Sequence, residues 1–344
     1  MASTLLALEA DALAEWVTTH GGQAFHAKII RSNVLERGVL DYDQMTSLPA
    51  DLRAALIAEL PILASAETTR TVSRDKTIKV LLHFPDRGGS VEMVHIPPPD
   101  KADARGATLC VSTQVGCPVG CPFCASGIGG LERNLDAHEI LEQFVVGRQV
   151  GPLRRAVVMG MGEPLLNMEA MNTALAAVHD EMGLGARKIT VSTVGFPDRL
   201  RKAARQKPRF ELAISLHTAD DAQRDDLVPA MKGVAIEDIL AAGDDWFEQT
   251  GREITYEIAL LGGENDTPWH AQRLAERLAG RRCMVNLIPW NPSPGMNFRR
   301  PEPGTPEAFR DDLIARGLVA TVRWSKGLDG DAACGQLRQR VKQG

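Results

Sequence analysis

The pattern of apolar and polar positions changes once along the chain, near residue 98. Ahead of that point, Leu5 to Val17 carries apolar residues at helical spacing and predicts an amphipathic helix, and Asp51 to Leu63 predicts a second. The period then shortens. Ile78–Phe84 and Ser90–Ile96 are β-rich runs on either side of Pro85-Asp86-Arg87-Gly88-Gly89, the composition of a hairpin turn. Pro97-Pro98-Pro99 and the polar residues up to Gly106 read as a linker.

From Thr108 onward, apolar strand-like runs alternate with helical stretches: Thr108–Ser112, Ala156–Gly160, Lys188–Thr193, Glu211–Leu216, Ile254–Leu261, Cys283–Pro289 and Val319–Trp324. This rhythm predicts βα units around a parallel sheet. Six or seven units fit a partial or complete (β/α) barrel, with chemistry at the C-terminal ends of its strands. A doubly wound open sheet gives the same rhythm, so periodicity leaves both open. The expected organisation is a small N-terminal accessory α/β domain over 1–98, helices plus hairpin, and a core over 99–344.

Composition narrows the class. With 344 residues, 44% of them hydrophobic, the chain can bury a sizeable core. A net charge of -5 argues against a polybasic protein, although a local basic face can still meet RNA. The run Arg199 to Arg209 holds six basic residues and no acid, which suits phosphates or an ordinary solvated helix face equally. Glu9 and Asp11 interrupt the first apolar stretch, so neither a signal peptide nor a membrane span is expected and the predicted compartment is the cytoplasm.

Six cysteines are too few for a disulfide scaffold, and three of them fall between positions 117 and 124. Cys117, Cys121 and Cys124 form C-x3-C-x2-C just after the first core strand. Three thiolates can hold three irons of a cubane cluster and leave the fourth open to a ligand. A zinc site with Cys110 as fourth donor is the competing reading. Cys283 begins an apolar strand and reads as packed.

This motif resembles the radical S-adenosylmethionine superfamily, in which the open iron binds the cofactor and reductively cleaves it to a 5′-deoxyadenosyl radical. Gly160-Met161-Gly162-Glu163-Pro164 after the next strand is similar to that superfamily's segment contacting the cofactor amino group. Further stretches narrow the match: Cys110 to Cys117, Met159 to Asn167, Ser215-Leu216-His217, Leu287 to Pro292 and Asp331 to Leu337, in this order, resemble the RlmN and Cfr family of RNA methyltransferases. The accessory region, with Met45-Thr46, Leu48-Pro49 and a hairpin ending in Val91-Glu92, looks like that family's RNA-targeting domain.

The resemblance implies a [4Fe-4S] cluster on Cys117, Cys121 and Cys124, with two S-adenosylmethionine molecules used per turnover. Cys334 would accept a methyl group from one, and the second would abstract hydrogen from that S-methyl group, giving a methylene radical that adds to an adenine carbon. Glu92 would be the proton acceptor, and Cys110 the resolving thiol that forms a transient disulfide with Cys334. Cofactor contacts would come from Gly162, Glu163, Ser192, Ser215, Leu216, His217 and Asn291. Without the resemblance, Cys110 and Cys334 would read as inert core, Glu92 as a solvent-facing strand residue, the serines as loop caps and His217 as a hydrogen-bonded polar residue. The implied activity is methylation of C2 of an adenosine in 23S rRNA and also tRNA, fed by an electron donor such as flavodoxin or ferredoxin. Alternatives are C8 methylation of the Cfr kind, a radical enzyme acting on another substrate, and a non-enzymatic, metal-stabilised RNA-binding module.

The sequence departs from the family pattern in places. Ala125-Ser126-Gly127 leans toward the Cfr form, Arg323-Trp324-Ser325-Lys326 replaces a more basic stretch, and Arg31-Ser32-Asn33 stands where an aromatic element is common. Aromatics make up only 5% of the chain, so recognition should rest on RNA shape plus one extruded base rather than on extended stacking. Trp290 and Phe298 lie near the expected cofactor site in sequence.

Overall fold

A computed structural model describes residues 4–98 and 106–338. Residues 99–105, most of the expected linker and the start of the expected core domain, lie outside them. The N-terminal region is richer than its periodicity suggests. The first predicted helix is a single 3-10 turn at Leu5–Ala7 followed by α1 (Ala10–Thr19), because Glu9 is extended and serves as N-cap. An unpredicted helix, α2 (Ala24–Leu35), buries His26 and Asn33 along with its apolar residues, which blurs the hydrophobic stripe. The helix α3 (Ala50–Glu59) stops short of Leu63 because Leu60 precedes Pro61, whose ring disfavours helical backbone at the residue before it.

Three antiparallel strands follow: β1 (Ala66–Val72), β2 (Ile78–His83) and β3 (Ser90–Ile96). The last pairs antiparallel with β4 (Ala107–Cys110), placing Val94 opposite Cys110, so one sheet runs across the expected domain boundary. A separate ribbon of β5 (Gln114–Gly116) and β6 (Leu131–Asn134) closes the base of the cysteine loop. Gly116 has to be glycine at this closure. Its φ is +78°, and a Cβ there would lie 2.1 Å from the Gly130 carbonyl oxygen.

The core strands are β7 (Leu153–Val158), β8 (Ile189–Thr193), β9 (Glu211–Ser215), β10 (Ile254–Leu260), β11 (Cys283–Pro289) and β12 (Val319–Val322). They continue the sheet in parallel from β4, giving the ten-stranded order β1-β2-β3-β4-β7-β8-β9-β10-β11-β12. From β4 onward the order is the chain order. A doubly wound sheet must reverse direction at a switch point, and this one never does, so the arrangement is a partial β/α barrel. Among the described residues β12 pairs only with β11, which leaves the barrel open there. Helices α4 (Ala137–Val150), α5 (Met168–Asp180), α6 (Pro197–Arg205), α7 (Asp221–Leu227), α8 (Ile236–Thr250), α9 (Pro268–Leu278) and α10 (Thr305–Ala315) fill the crossovers. Among the described residues no helix is long and apolar enough to cross a membrane.

Half of the basic run that begins on α6 is committed to the protein itself, while Lys202, Arg205 and Lys207 are exposed. Arg201 pairs with Asp245 and Arg209 with Asp180, while Arg199 donates to the Leu165 carbonyl.

Candidate active site

Most residues singled out from sequence gather at the C-terminal ends of the parallel strands, where strand ends meet loops free to carry chemistry, whereas Glu92 lies within the antiparallel strand β3 and, like Leu216, lines neither cavity there. An open cavity of about 980 Å3 is lined there by Cys117, Cys121 and Cys124 at one end and by Gly162, Glu163, Ser192, Ser215, His217 and Asn291 around its wall. Cys334 reaches the same cavity from the C-terminal segment and also lines a second, adjoining one of about 1070 Å3 together with Cys110. Cys110 lines that second cavity and not the one lined by the loop thiols, so it is not placed beside them as the fourth donor that the zinc reading asks for.

Burial pushes all three loop thiols above the ordinary cysteine value, and their mutual repulsion adds to this for Cys117 and Cys121. Sequence reasoning missed Arg224, which is buried, donates to the Val194 and Leu216 carbonyls at the ends of β8 and β9, and is favoured by the charges of Cys121, Asp221 and Asp225. Its charge favours the Cys121 thiolate, and its Nη1 has no hydrogen-bond partner. A buried cation beside the loop thiols is compatible with the negative charge that a thiolate-held cluster would bring.

The wall residues are fixed by short polar contacts. Glu163 accepts from Thr193 Oγ1 (2.5 Å), the Val194 N–H (2.9 Å) and the Leu165 N–H (3.0 Å), and burial raises its carboxyl above the usual range. Ser192 donates to Glu257 Oε2 at 3.0 Å and lies 3.1 Å from Ser215 Oγ. Glu257 is a second missed residue: it is buried, lines the cavity, accepts from Asn286 and faces Arg323 at 3.8 Å. An acid inside a strand reads as solvent-facing in sequence, which hid it.

His217 sits at φ +66°, its Nδ1 accepts from the Ala259 N–H, and burial lowers its pKa to about 3, so it is neutral. Phe123 of the cysteine loop packs edge-on against it with ring centroids 4.9 Å apart. Trp290 donates its indole N–H to the Phe123 carbonyl at 2.8 Å and contacts Phe298, so both aromatics brace the loop.

The C-terminal segment is tied down on both sides. Ala125 N–H donates to the Gly335 carbonyl and Ser126 Oγ to the Leu337 carbonyl, joining it to the cysteine loop. From the hairpin, Lys79 donates to the Asp331 carbonyl at 2.9 Å and pairs with buried Glu92 at 2.9 Å. Burial raises Glu92 above the usual carboxylate range, with Lys79 opposing. Cys110 is pushed up to about 11 and Cys334 to about 12 by burial, Arg323 opposing in both. Although surrounded by protein, Cys334 is exposed to cavity space, whereas Cys110 is buried. Cys283 is half-buried at the start of β11, away from both cavities.

Three thiols on a loop at the mouth of a partial β/α barrel, above a glycine- and carboxylate-walled cavity, define a radical S-adenosylmethionine enzyme. The Radical SAM superfamily model matches residues 111–275. A Synechococcus sp. (strain CC9311) protein named "Probable dual-specificity RNA methyltransferase RlmN" is 42% identical over 348 residues, spanning 98% of this chain and 99% of that protein. A Rhodopirellula baltica protein of the same name is 41% identical, spanning 97% of this chain and 90% of its own. The crystal structure of a radical SAM methyltransferase from Sphaerobacter thermophilus superimposes with a TM-score of 0.90 at 40% identity, covering 98% of this chain and all of that one.

The chain belongs to the RlmN/Cfr family of RNA methyltransferases within the radical SAM superfamily. It is an S-adenosylmethionine-dependent RNA methyltransferase, and membership implies a [4Fe-4S] cluster and S-adenosylmethionine. The donor set fits that cluster, with three thiolates, one iron to spare and the Arg224 charge beside them.

Proposed function

We propose that this enzyme methylates C2 of an adenosine in 23S rRNA, and of one in tRNA, through an S-methylcysteine on Cys334. The observation that carries the reading is the position of Cys334 between two cavities, one shared with the cluster cysteines and the other with Cys110. A methyl carrier has to meet its donor on one side and its acceptor on the other. The dual specificity in the relatives' names supports two RNA substrates.

A cluster held by Cys117, Cys121 and Cys124, with S-adenosylmethionine bound, would supply one-electron reductive cleavage of the cofactor and the hydrogen-atom abstraction that follows it, with electrons from a flavodoxin or ferredoxin. Gly162, Glu163, Ser192, Ser215, Leu216, His217 and Asn291 would orient the cofactor; neutral His217 would do so without adding charge. Cys334 takes one methyl group as a thiolate, displacing the sulfonium's neutral thioether, so two cofactor molecules serve each turnover. As the carbon–carbon bond to adenine forms, Glu92 accepts the proton lost from the ring, and the one unpaired electron of the adduct would return to the cluster and the electron donor that serves it. Cys110 then attacks the Cys334 sulfur, forming a disulfide as the carbon–sulfur bond breaks and the released methylene carbon takes a proton. The region 1–98 would direct the enzyme to its RNA.

The test is anaerobic reconstitution with iron and sulfide, incubation with S-adenosylmethionine, reductant and rRNA or tRNA, and nucleoside mass spectrometry beside a Cys334→Ala control. Cys334-dependent 2-methyladenosine is the expected product. 8-Methyladenosine would overturn the C2 assignment, and cofactor cleavage without either nucleoside would overturn the RNA substrate.

A further inference from the structure

The cavity that Cys334 shares with Cys110 has a wall unlike that of the first. It is lined by Trp324 and Lys326 on the loop after β12, by Arg323, and by Pro97 and Pro98 from the end of the hairpin. Trp324 is 51% exposed and is the one aromatic ring on the described wall of this cavity. A singly exposed apolar side chain is ordinary, and what distinguishes this one is that its ring borders a cavity. Its ring is not idle. The Arg300 guanidinium lies over it, 5.5 Å from the centroid, and Arg300 also approaches Asn291 Oδ1 at 3.5 Å, which ties the indole to the wall of the first cavity. Arg323 is likewise held, by Met159 and Glu257, while Lys326 donates to the Pro97 carbonyl at 3.3 Å.

We propose that this second cavity is the seat of the extruded purine, and that Trp324, backed by Arg300, is the platform on which the base stacks. The inference rests on the methyl-transfer reading of Cys334. If the cofactor occupies the first cavity, the acceptor carbon has to approach Cys334 from the other side, and that side is this cavity. A guanidinium on one indole face fixes the ring and leaves the other face for a base, since every base offers a π-face to an aromatic ring. Lys326 and Arg323 beside the ring bring positive charge to the nucleotide's phosphates. The chain is poor in aromatics, so a single placed tryptophan is the economical way to hold one flipped base.

The experiment compares reconstituted wild-type, Trp324→Ala and Trp324→Phe holoenzymes in steady-state methylation of protein-free 23S rRNA, with thermal melts confirming that all three fold. For Trp324→Ala, KM for RNA should rise roughly 5- to 100-fold with a much smaller change in kcat, the size of one lost base–aromatic stack. Trp324→Phe should recover most of that loss, as a smaller ring still stacks. Unchanged KM in Trp324→Ala, or a Phe variant no better than the Ala variant, would overturn the platform while leaving the activity intact. If the wild-type enzyme itself neither methylates Cys334 without RNA nor modifies the rRNA, the reading of Cys334 fails, and the platform falls with it.

Discussion

Asn291 Nδ2 donates to the Cys334 carbonyl oxygen at 3.0 Å and to Ser325 Oγ at 2.8 Å. A buried asparagine at the end of β11 therefore holds the backbone of the segment that carries the thiol. Resemblance makes Asn291 a cofactor contact, but its amide nitrogen is already engaged within the protein. Asn291→Ala leaves the part-buried Cys334 carbonyl without this donor, an expected loss of about 1 kcal/mol. The melting temperature should fall slightly, and intact-mass measurement should show Cys334 methylation slowed at saturating cofactor. If the only change is a raised KM for S-adenosylmethionine, Asn291 does not position Cys334.

Gly162 offers a sharper steric test. Its φ is +105°, and a Cβ would fall 2.6 Å from Gln114 Cβ and 2.8 Å from Thr113 Oγ1. The next residue, Glu163, hangs from the same strand end, its N–H donating to Gln114 Oε1 at 2.7 Å. Gly162→Ala should cost about 2 kcal/mol or more from strain and clash together. It should also displace Glu163, so isothermal titration with S-adenosylmethionine should detect at least tenfold weaker binding even where the variant folds. Native affinity in Gly162→Ala would mean that the loop can relax away from Gln114.

The seven parallel strands were legible because strands covered on both faces read as short apolar runs bounded by turn residues. The edge strand β1 was not: Ala66–Val72 is mostly exposed and polar, so nothing in its composition separates it from a loop. The thiol sites were legible through spacing and resemblance. Glu257, Arg224 and Arg323 were not, because each acts through a partner distant in the chain: Ser192 for Glu257, the Val194 carbonyl for Arg224, Glu257 for Arg323. Sequence shows a charge, and only folding shows that it is buried and what it faces.

The Cys334 thiol is pushed up to about 12, chiefly by burial, while Arg323 pulls it down. Transfer of a methyl group to Cys334 needs the thiolate. Below the raised value the thiolate fraction grows about tenfold per pH unit, so the rate of Cys334 methylation without RNA should climb by that factor between about pH 7 and 9. Arg323→Met removes the opposing charge and raises the thiol further. The variant should be slower at every pH in that window, with the same slope, as followed by intact mass. A rate independent of pH would show that deprotonation does not limit this transfer.

Cys110 and Glu92 should fail at the same stage of the reaction in different ways. Val94 on β3 lies opposite Cys110 on β4, and Glu92, two residues earlier on β3 and therefore on the same face as Val94, is held by Lys79, which also grips the Asp331 carbonyl three residues before Cys334. Both groups thus border the segment bearing the methyl carrier, but neither is placed to help form the first bond to RNA. With Cys110→Ala the thioether between Cys334 and the base has no thiol to break it, and a covalent protein–RNA species should accumulate that survives denaturation and added reductant. Glu92→Gln should trap the same species one proton earlier, and Lys79→Met should slow release without abolishing it. Denaturing gels with labelled RNA read all three. Free methylated RNA from Cys110→Ala at the wild-type rate would remove Cys110 from the reaction and assign the release of RNA to another group.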